Sequence, residues 1–440
     1  MNKDVGRRNQ LAERTVWNLM EIRRYAFLAR ICLAIGMVFC MYLAGRRGIG
    51  AWYFRKGTPE AIQKAIEWDP GNPVYYNSLG TLTHLYADSG NSDSIIQLYE
   101  SATRLSPQNA AYWADLGSAY EWAGRSDDAL RALNRAQELF PNSPDINWRL
   151  ANFYVRARKT PEGLRALRKV LLGDGASRRD VFVLATNATR DNAAILDEMI
   201  PPRDAIFFDY LNFRVAAGET DAAQQVWHRL VELKLPFELP QSFPYLDGLI
   251  RQREMKALAE AWSFLGARFP AEIGPRTSRE NAIANGSFEL EALNGGLDWR
   301  VVPVEGALAT TDTREFSDGV RSLRIDFDGT RNLDYGQVFQ YVLVKPDTRY
   351  RFSGDMRVQG ITTDSGPRFE VFDAYDRGKL FYSTQNFLGT SGWSGRRIEF
   401  KTNRDTQLLV VRVARPMSHK FDNRIAGAVW IDRVNLQPGE

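Results

Sequence analysis

The side chains able to carry a reaction are sparse and scattered. The three histidines, His84, His228 and His419, have no metal-ligand spacing, and the two cysteines, Cys32 and Cys40, share one apolar segment. That excludes a disulfide framework and a cysteine metal cluster. The sequence has no glycine-rich phosphate loop ahead of a helix, no H-E-x-x-H and no G-x-S-x-G. Acidic residues are plentiful, and paired carboxylates can hydrolyse glycosides, but no spacing brings two of them together. A formal net charge of +4 over 440 residues is too small and too dispersed for a dedicated nucleic-acid binder. The chemistry on offer is recognition, so the next question is which elements present it.

The clearest element is Asn109 to Pro141. Trp113, Leu116, Gly117 and Tyr120 fall on one helix face. Gly124 breaks the pattern, and Ser126 with Asp127 is expected to cap a second helix. That helix carries the stripe Ala129, Leu133 and Ala136, and Pro141 ends it. Such a hairpin cannot bury both faces alone and implies stacked neighbours. Tyr76, Leu79, Gly80, Tyr99, Ala102 and Pro107 repeat the pattern upstream, with extra turn residues at Ala87 to Asn91. Leu150, Ala151, Tyr154, Leu167 and Val170 repeat it downstream, and Thr58 to Pro70 reads as a half-unit.

These residues resemble the tetratricopeptide repeat family over 58–172, with degenerate helix pairs over 173–270. The resemblance implies a groove lined by the first helix of each unit. By spacing, its positions are Asn77, Thr81 and His84, then Ala114, Ser118, Glu121 and Trp122, then Trp148, Asn152 and Arg156. Trp122 and Trp148 lie off the packing stripe and are the expected contacts with a protein partner.

Ahead of the repeats, residues 1–24 form a polar, basic tail. Residues 25–45 are apolar except for Arg30 and are closed by Arg46 and Arg47. The length suits one transmembrane helix, with Trp52 and Tyr53 at interfacial positions. A buried core helix and a cleaved signal peptide are the competing readings. The charge bias mildly favours a cytoplasmic N-terminus, which would put the bulk of the chain on the periplasmic side of a bacterial inner membrane.

Residues 271–279 read as a linker, after which the hydrophobic period changes from 3.6 to 2. Leu323, Ile325 and Phe327 alternate with charged residues, as do Tyr350, Phe352, Met356 and Val358. Many short strands separated by turn signals predict an antiparallel β-sandwich, or jelly roll. The successive stretches NGSFE (285–289), LDWRV (297–301), SDGVRSLRI (317–325), TSGW (390–393) and VWIDRVNL (429–436) resemble the galactose-binding-like carbohydrate-binding modules over 280–438. The resemblance implies a glycan site and a structural Ca2+ held by Glu289 and Asp432; no motif requires a cofactor. A sugar needs a flat aromatic surface and planar polar groups. Tyr335, Tyr375, Phe381 and Tyr382 are the aromatic candidates, and Asp334, Gln385, Asn386 and Arg412 the polar ones; Trp299, Trp393 and Trp430 are expected in the core.

The fold expected is therefore multidomain, α then β: a membrane helix, an α-solenoid and a sandwich. The function expected is a membrane-anchored, non-catalytic scaffold for a protein partner and a glycan, in cell-envelope or exopolysaccharide synthesis or export. The alternatives are a pure assembly scaffold with a structural or protein-binding sandwich, and a glycan-active enzyme.

Overall fold

The computed structural model describes residues 3–86, 92–173, 177–274 and 281–439. Side chains 1–23, and with them the expected basic tail, lie outside this set, as do the turn at Ala87 to Asn91 and most of the 271–279 linker. The chain divides into two compact units, Met1–Pro201 and Pro202–Glu440.

The first unit is helical. It contains α1 (Lys3–Phe54), α2 (Pro59–Trp68), α3 (Pro73–Tyr86), α4 (Ser92–Leu105), α5 (Ala110–Trp122), α6 (Ser126–Leu139), α7 (Pro144–Arg156), α8 (Thr160–Leu172) and α9 (Arg178–Ala188). A short α10 (Asn192–Ala194) leads into a π turn, Ile195–Met199. Helix starts follow local chemistry. The side chain of Thr58 accepts from Ala61 N, that of Asn109 from Ala111 N, and that of Ser143 from Ile146 N, each satisfying an amide with no partner in its own helix. The expected Ser126/Asp127 cap differs: both lie inside the first turn of α6, whose cap position is Arg125, with no side-chain bond to a helix amide. Gly124 makes that turn in the left-handed region (φ 74°).

The packing stripe of Asn109 to Pro141 closes as the spacing dictates. Leu116, Gly117 and Tyr120 are buried with Ala129, Leu133 and Ala136. Trp113 is only half-buried, its Nε1 donating to Pro107 O at 2.9 Å.

The half-unit before the repeats is completed by α1. Residues Arg24–Phe54 form one helix, long and apolar enough to cross a membrane by length and composition, and the helix runs on past Arg46 and Arg47. Its last turns pack Tyr53 and Phe54 against Ile62, Ala65, Ile66, Tyr75 and Leu79. Arg46 donates to Trp68 O at 2.9 Å and Glu67 O at 3.2 Å, occupying carbonyls at the end of α2.

The second unit begins with α11 (Asp204–Ala216), α12 (Thr220–Glu232), α13 (Phe243–Gln252), α14 (Met255–Arg268) and the short α15 (Pro270–Ile273). Among the described residues ten strands follow: β1 (Arg300–Val301), β2 (Ala307–Asp312), β3 (Ser322–Asp328), β4 (Tyr335–Leu343), β5 (Arg349–Ile361), β6 (Arg368–Asp373), β7 (Phe381–Ser383), β8 (Gly389–Lys401), β9 (Leu408–Arg415) and β10 (Ala426–Pro438). They form two five-stranded sheets, in the orders β1-β4-β9-β6-β7 and β2-β3-β10-β5-β8, with antiparallel pairing throughout. The core holds Trp299, Ile325, Phe352, Phe369, Val411 and Ile431, consistent with period-2 burial on each strand. The later helix pairs, expected to continue the repeats, share this compact unit with the sandwich.

Two places show why. Gly295 and Gly296 lie so close to α13 and α14 that a Cβ would fall 2.2 Å from Phe243 and 2.4 Å from Trp262. The Tyr375 hydroxyl donates to Ile250 O at 2.5 Å.

Candidate functional site

Two surfaces gather recognition side chains, one in each unit. In the first, α3, α5 and α7 share a face. Asn77 Nδ2 donates to Asp115 Oδ2 at 3.0 Å, and Arg149 Nη1 donates to Asp115 Oδ1 at 3.0 Å and Ser118 Oγ at 3.1 Å. One turn on, the His84 and Trp122 rings lie 4.8 Å apart. Arg156 grips Glu121 through two parallel bonds of 2.8 Å, the planar fork-to-carboxylate geometry that only arginine supplies.

Of the sequence-expected positions, Asn77, His84, Ser118, Glu121, Trp122 and Arg156 take part in these contacts. Trp122 is 37% exposed, Trp148 is half-buried, and Asn152 spends its amide on Trp148 O. Thr81 donates to Asn77 O and accepts from the Tyr99 hydroxyl, and Ala114 is fully buried. Asp115 and Arg149, which tie the three helices, were missed. Their signal is a charge pair at the repeat offset of 34.

In the second unit, the outward face of sheet β1-β4-β9-β6-β7 carries the other surface. Glu370, with only 4% of its side chain exposed, accepts from Arg412 Nη2 at 2.7 Å and Arg377 Nη2 at 3.1 Å. The Arg377 guanidinium sits 4.6 Å from the Phe372 ring and 4.7 Å from Phe381, a cation over two neighbouring rings. Gly336 admits Arg412 against β4, since a Cβ there would lie 2.6 Å from Nη1. Arg412 and the 44% exposed Phe381 were expected here; Glu370, Phe372 and Arg377 were not.

The remaining candidates lie elsewhere. Tyr335 is corrected outright: it is 2% exposed in the core between the sheets, where burial raises its phenol pKa and no sugar reaches it. Tyr375 holds α13 and lies under Arg253. Tyr382 stacks on Phe400 at the sandwich edge. Asn386 donates to Asp364 O in a loop, and Asp334 and Gln385 are exposed in loops. Trp299 and Trp430 are buried as expected, whereas Trp393 is half-exposed.

Glu289 and Asp432 do converge, but on one loop. Asp432 Oδ2 accepts from Ser317 N at 2.7 Å and Asp318 N at 2.9 Å, and its Oδ1 from Arg433 N. Glu289 Oε1 accepts from Val320 N at 3.0 Å. Burial raises the Asp432 pKa against the lowering effect of these amides. Calcium requires a shell of oxygen donors. Here the carboxylates face N–H groups, Arg433 donates to Asp355, and no cluster of three or more metal-ligating side chains occurs among the described residues. In this arrangement the pair does not fit a calcium ion and acts as a staple for residues 317–320.

A tetratricopeptide repeat model matches residues 86–146. No curated protein matches the chain. Among solved structures, the chain is similar to a family 16 carbohydrate-binding module at 17% identity, over 36% of this chain and 99% of that one, with a TM-score of 0.26. It is similar to the MamA protein at 17% identity, over 45% of this chain and 98% of that one, with a TM-score of 0.30. A third similarity is to modules of Clostridium thermocellum endo-1,4-beta-D-xylanase 10B complexed with xylohexaose. There the identity is 13%, over 37% of this chain and 29% of that one, with a TM-score of 0.27. Residues 86–146 match a tetratricopeptide repeat, and the C-terminal region is an antiparallel β-sandwich.

Proposed function

We propose that the protein is a membrane-anchored, non-catalytic scaffold of the bacterial cell envelope. Its repeats hold a protein partner, and its sandwich holds a glycan during synthesis or export of a surface polymer. The observation that carries the reading is the face shared by α3, α5 and α7. Three helices far apart in sequence are cross-linked by Asn77–Asp115–Arg149 and Glu121–Arg156, which fixes the face in advance and leaves Trp122 accessible beside it. Preorganised polar groups around an accessible aromatic ring suit binding of a peptide segment.

The anchor reading draws on the exposed apolar surface of Arg24–Phe54. It also draws on Lys56, 3.8 Å over the Trp52 ring at the helix end, a pairing suited to a membrane interface. The single-pass, inner-membrane, outward-facing topology is part of the same proposal. A pure assembly scaffold is the second reading. It is favoured by α13 resting at the β1 end of the sandwich face, through Arg300 and Asp247.

The test is co-purification from detergent-solubilised membranes. The intact protein should bring down a defined partner that the Trp122→Ala/Arg156→Ala variant loses while still extracting with the membrane. Retention of the same partner by that variant contradicts the groove reading.

A further inference from the structure

We propose that the outward face of sheet β1-β4-β9-β6-β7 takes an acidic polysaccharide, a chain of uronate-type sugars, and that α13 forms one end of its site. The proposal deepens, and rests on, the glycan reading above.

Strand register lays out two parallel rungs. Arg300, Phe339, Arg412, Glu370 and Ser383 are partners on successive strands across all five. Beside them run Tyr341, Val410, Phe372 and Phe381. At about 4.8 Å between strands, the first rung is about 19 Å long, a track for an extended chain rather than a pocket for one sugar. The second rung supplies flat apolar surface for sugar faces.

Charge selects the class of sugar. Arg300 is neutralised by Asp247, its Nη2 donating to Oδ1 at 2.5 Å. Arg412 and Arg377 share the single carboxylate of Glu370, and no other carboxylate pairs with either among the described residues. One buried carboxylate needs one cation, so this pair leaves a surplus positive charge. Arg377 is 50% and Arg412 22% exposed, so the surplus is open to a ligand. A neutral glycan would need the rings and hydrogen-bonding groups, and would gain nothing from a net positive charge. A guanidinium lying over two neighbouring aromatic rings, with donors still unspent, matches a sugar carboxylate.

The track ends in a cleft of about 570 Å³ whose border includes Asn212, Asp247, Ile250, Arg251, Arg300 and Tyr341. That volume is typical of ligand sites. Tyr341 of the apolar rung lines this cleft, and Arg251 of α13 brings a further cation to it, so helix and sheet together close the site.

The test uses the full chain in detergent micelles and titration calorimetry. The probes are polygalacturonate and polymannuronate, with neutral dextran and xylan and the indiscriminate polyanion dextran sulfate alongside. The polyuronates should bind, more weakly as salt rises. Arg377→Gln/Arg412→Gln should lose about tenfold or more in affinity, Phe381→Ala and Arg251→Gln should each lose several-fold, and Arg397→Gln on β8 should change nothing. Unchanged polyuronate affinity in the double variant and in Phe381→Ala overturns the site. Dextran sulfate binding as tightly as the polyuronates overturns its selectivity for sugar carboxylates. Neutral glycan binding indifferent to the arginines overturns the acidic class while leaving the glycan reading standing. Absence of binding to every probe overturns both. Unchanged affinity in Arg251→Gln removes α13 from the site.

Discussion

Replacing Gly117 by alanine tests whether the repeats are held by backbone approach. A Cβ built at Gly117 lies 2.6 Å from Leu133 Cγ, 2.9 Å from Leu133 Cδ2 and 3.3 Å from Ala129 O. Ordinary carbon contacts sit at about 3.5–4.0 Å, so Leu133 must retreat by roughly 1 Å. It is fully buried among Ala129, Ala132 and Ala136 and has little room to retreat. Overpacking of this kind costs about 1–3 kcal/mol. Alanine returns about 1 kcal/mol of helix propensity over glycine, which leaves a net loss of about 1 kcal/mol. Leu133→Ala alone should cost about 2–5 kcal/mol through the cavity it opens. In the double variant the new methyl enters that cavity, so the two losses should fall short of additive by about 1 kcal/mol or more. Urea denaturation of the full chain in detergent, followed by far-UV circular dichroism, measures all four corners of the cycle. A stabilised Gly117→Ala variant with strictly additive losses would refute the packing argument.

Other perturbations follow from single sites. Burial pushes the Asp298 carboxyl pKa up to about 6, and its Oδ1 is buried without a partner. A raised folded pKa means stability present below about pH 4 and lost as pH rises through 6, by about 3 kcal/mol. Asp298→Asn should flatten that part of the stability–pH curve, and an unchanged slope rejects the assignment. Tyr375→Phe removes the bond to Ile250 O and should cost about 1 kcal/mol, with faster amide exchange in α13; unaltered exchange there contradicts the clamp. EGTA should leave the thermal midpoint unchanged, because backbone amides satisfy Glu289 and Asp432. A rise on adding Ca2+ would restore them as ligands.

Local pattern made most of the fold legible. Alternation at Leu323, Ile325 and Phe327 needs only neighbours in sequence, and all three are buried. The repeats were readable because small and large residues recur at helix spacing. What escaped depends on pairing between distant strands. Tyr335 looked unpatterned because the register shifts between it and Val338, and that irregularity accompanies an inward-facing ring. Tyr375 reaches a helix end 125 residues away, which no local signal announces. The Glu370–Arg412 pair joins residues 42 apart, so only the sheet register brings it into view. Glu289 and Asp432 were paired through the resemblance to the carbohydrate-binding modules, and the structure does bring both to one loop. What they hold was not readable, since backbone amides carry no side-chain signature.

The most direct test of the scaffold account is site-specific photo-cross-linking in native membranes. A photoreactive residue would replace His84 or Asn152 on the repeat face, and Arg135 on α6 as a control. The account predicts one and the same discrete protein captured from both groove positions and not from position 135. No capture from the groove, or equal capture from the control, would contradict it.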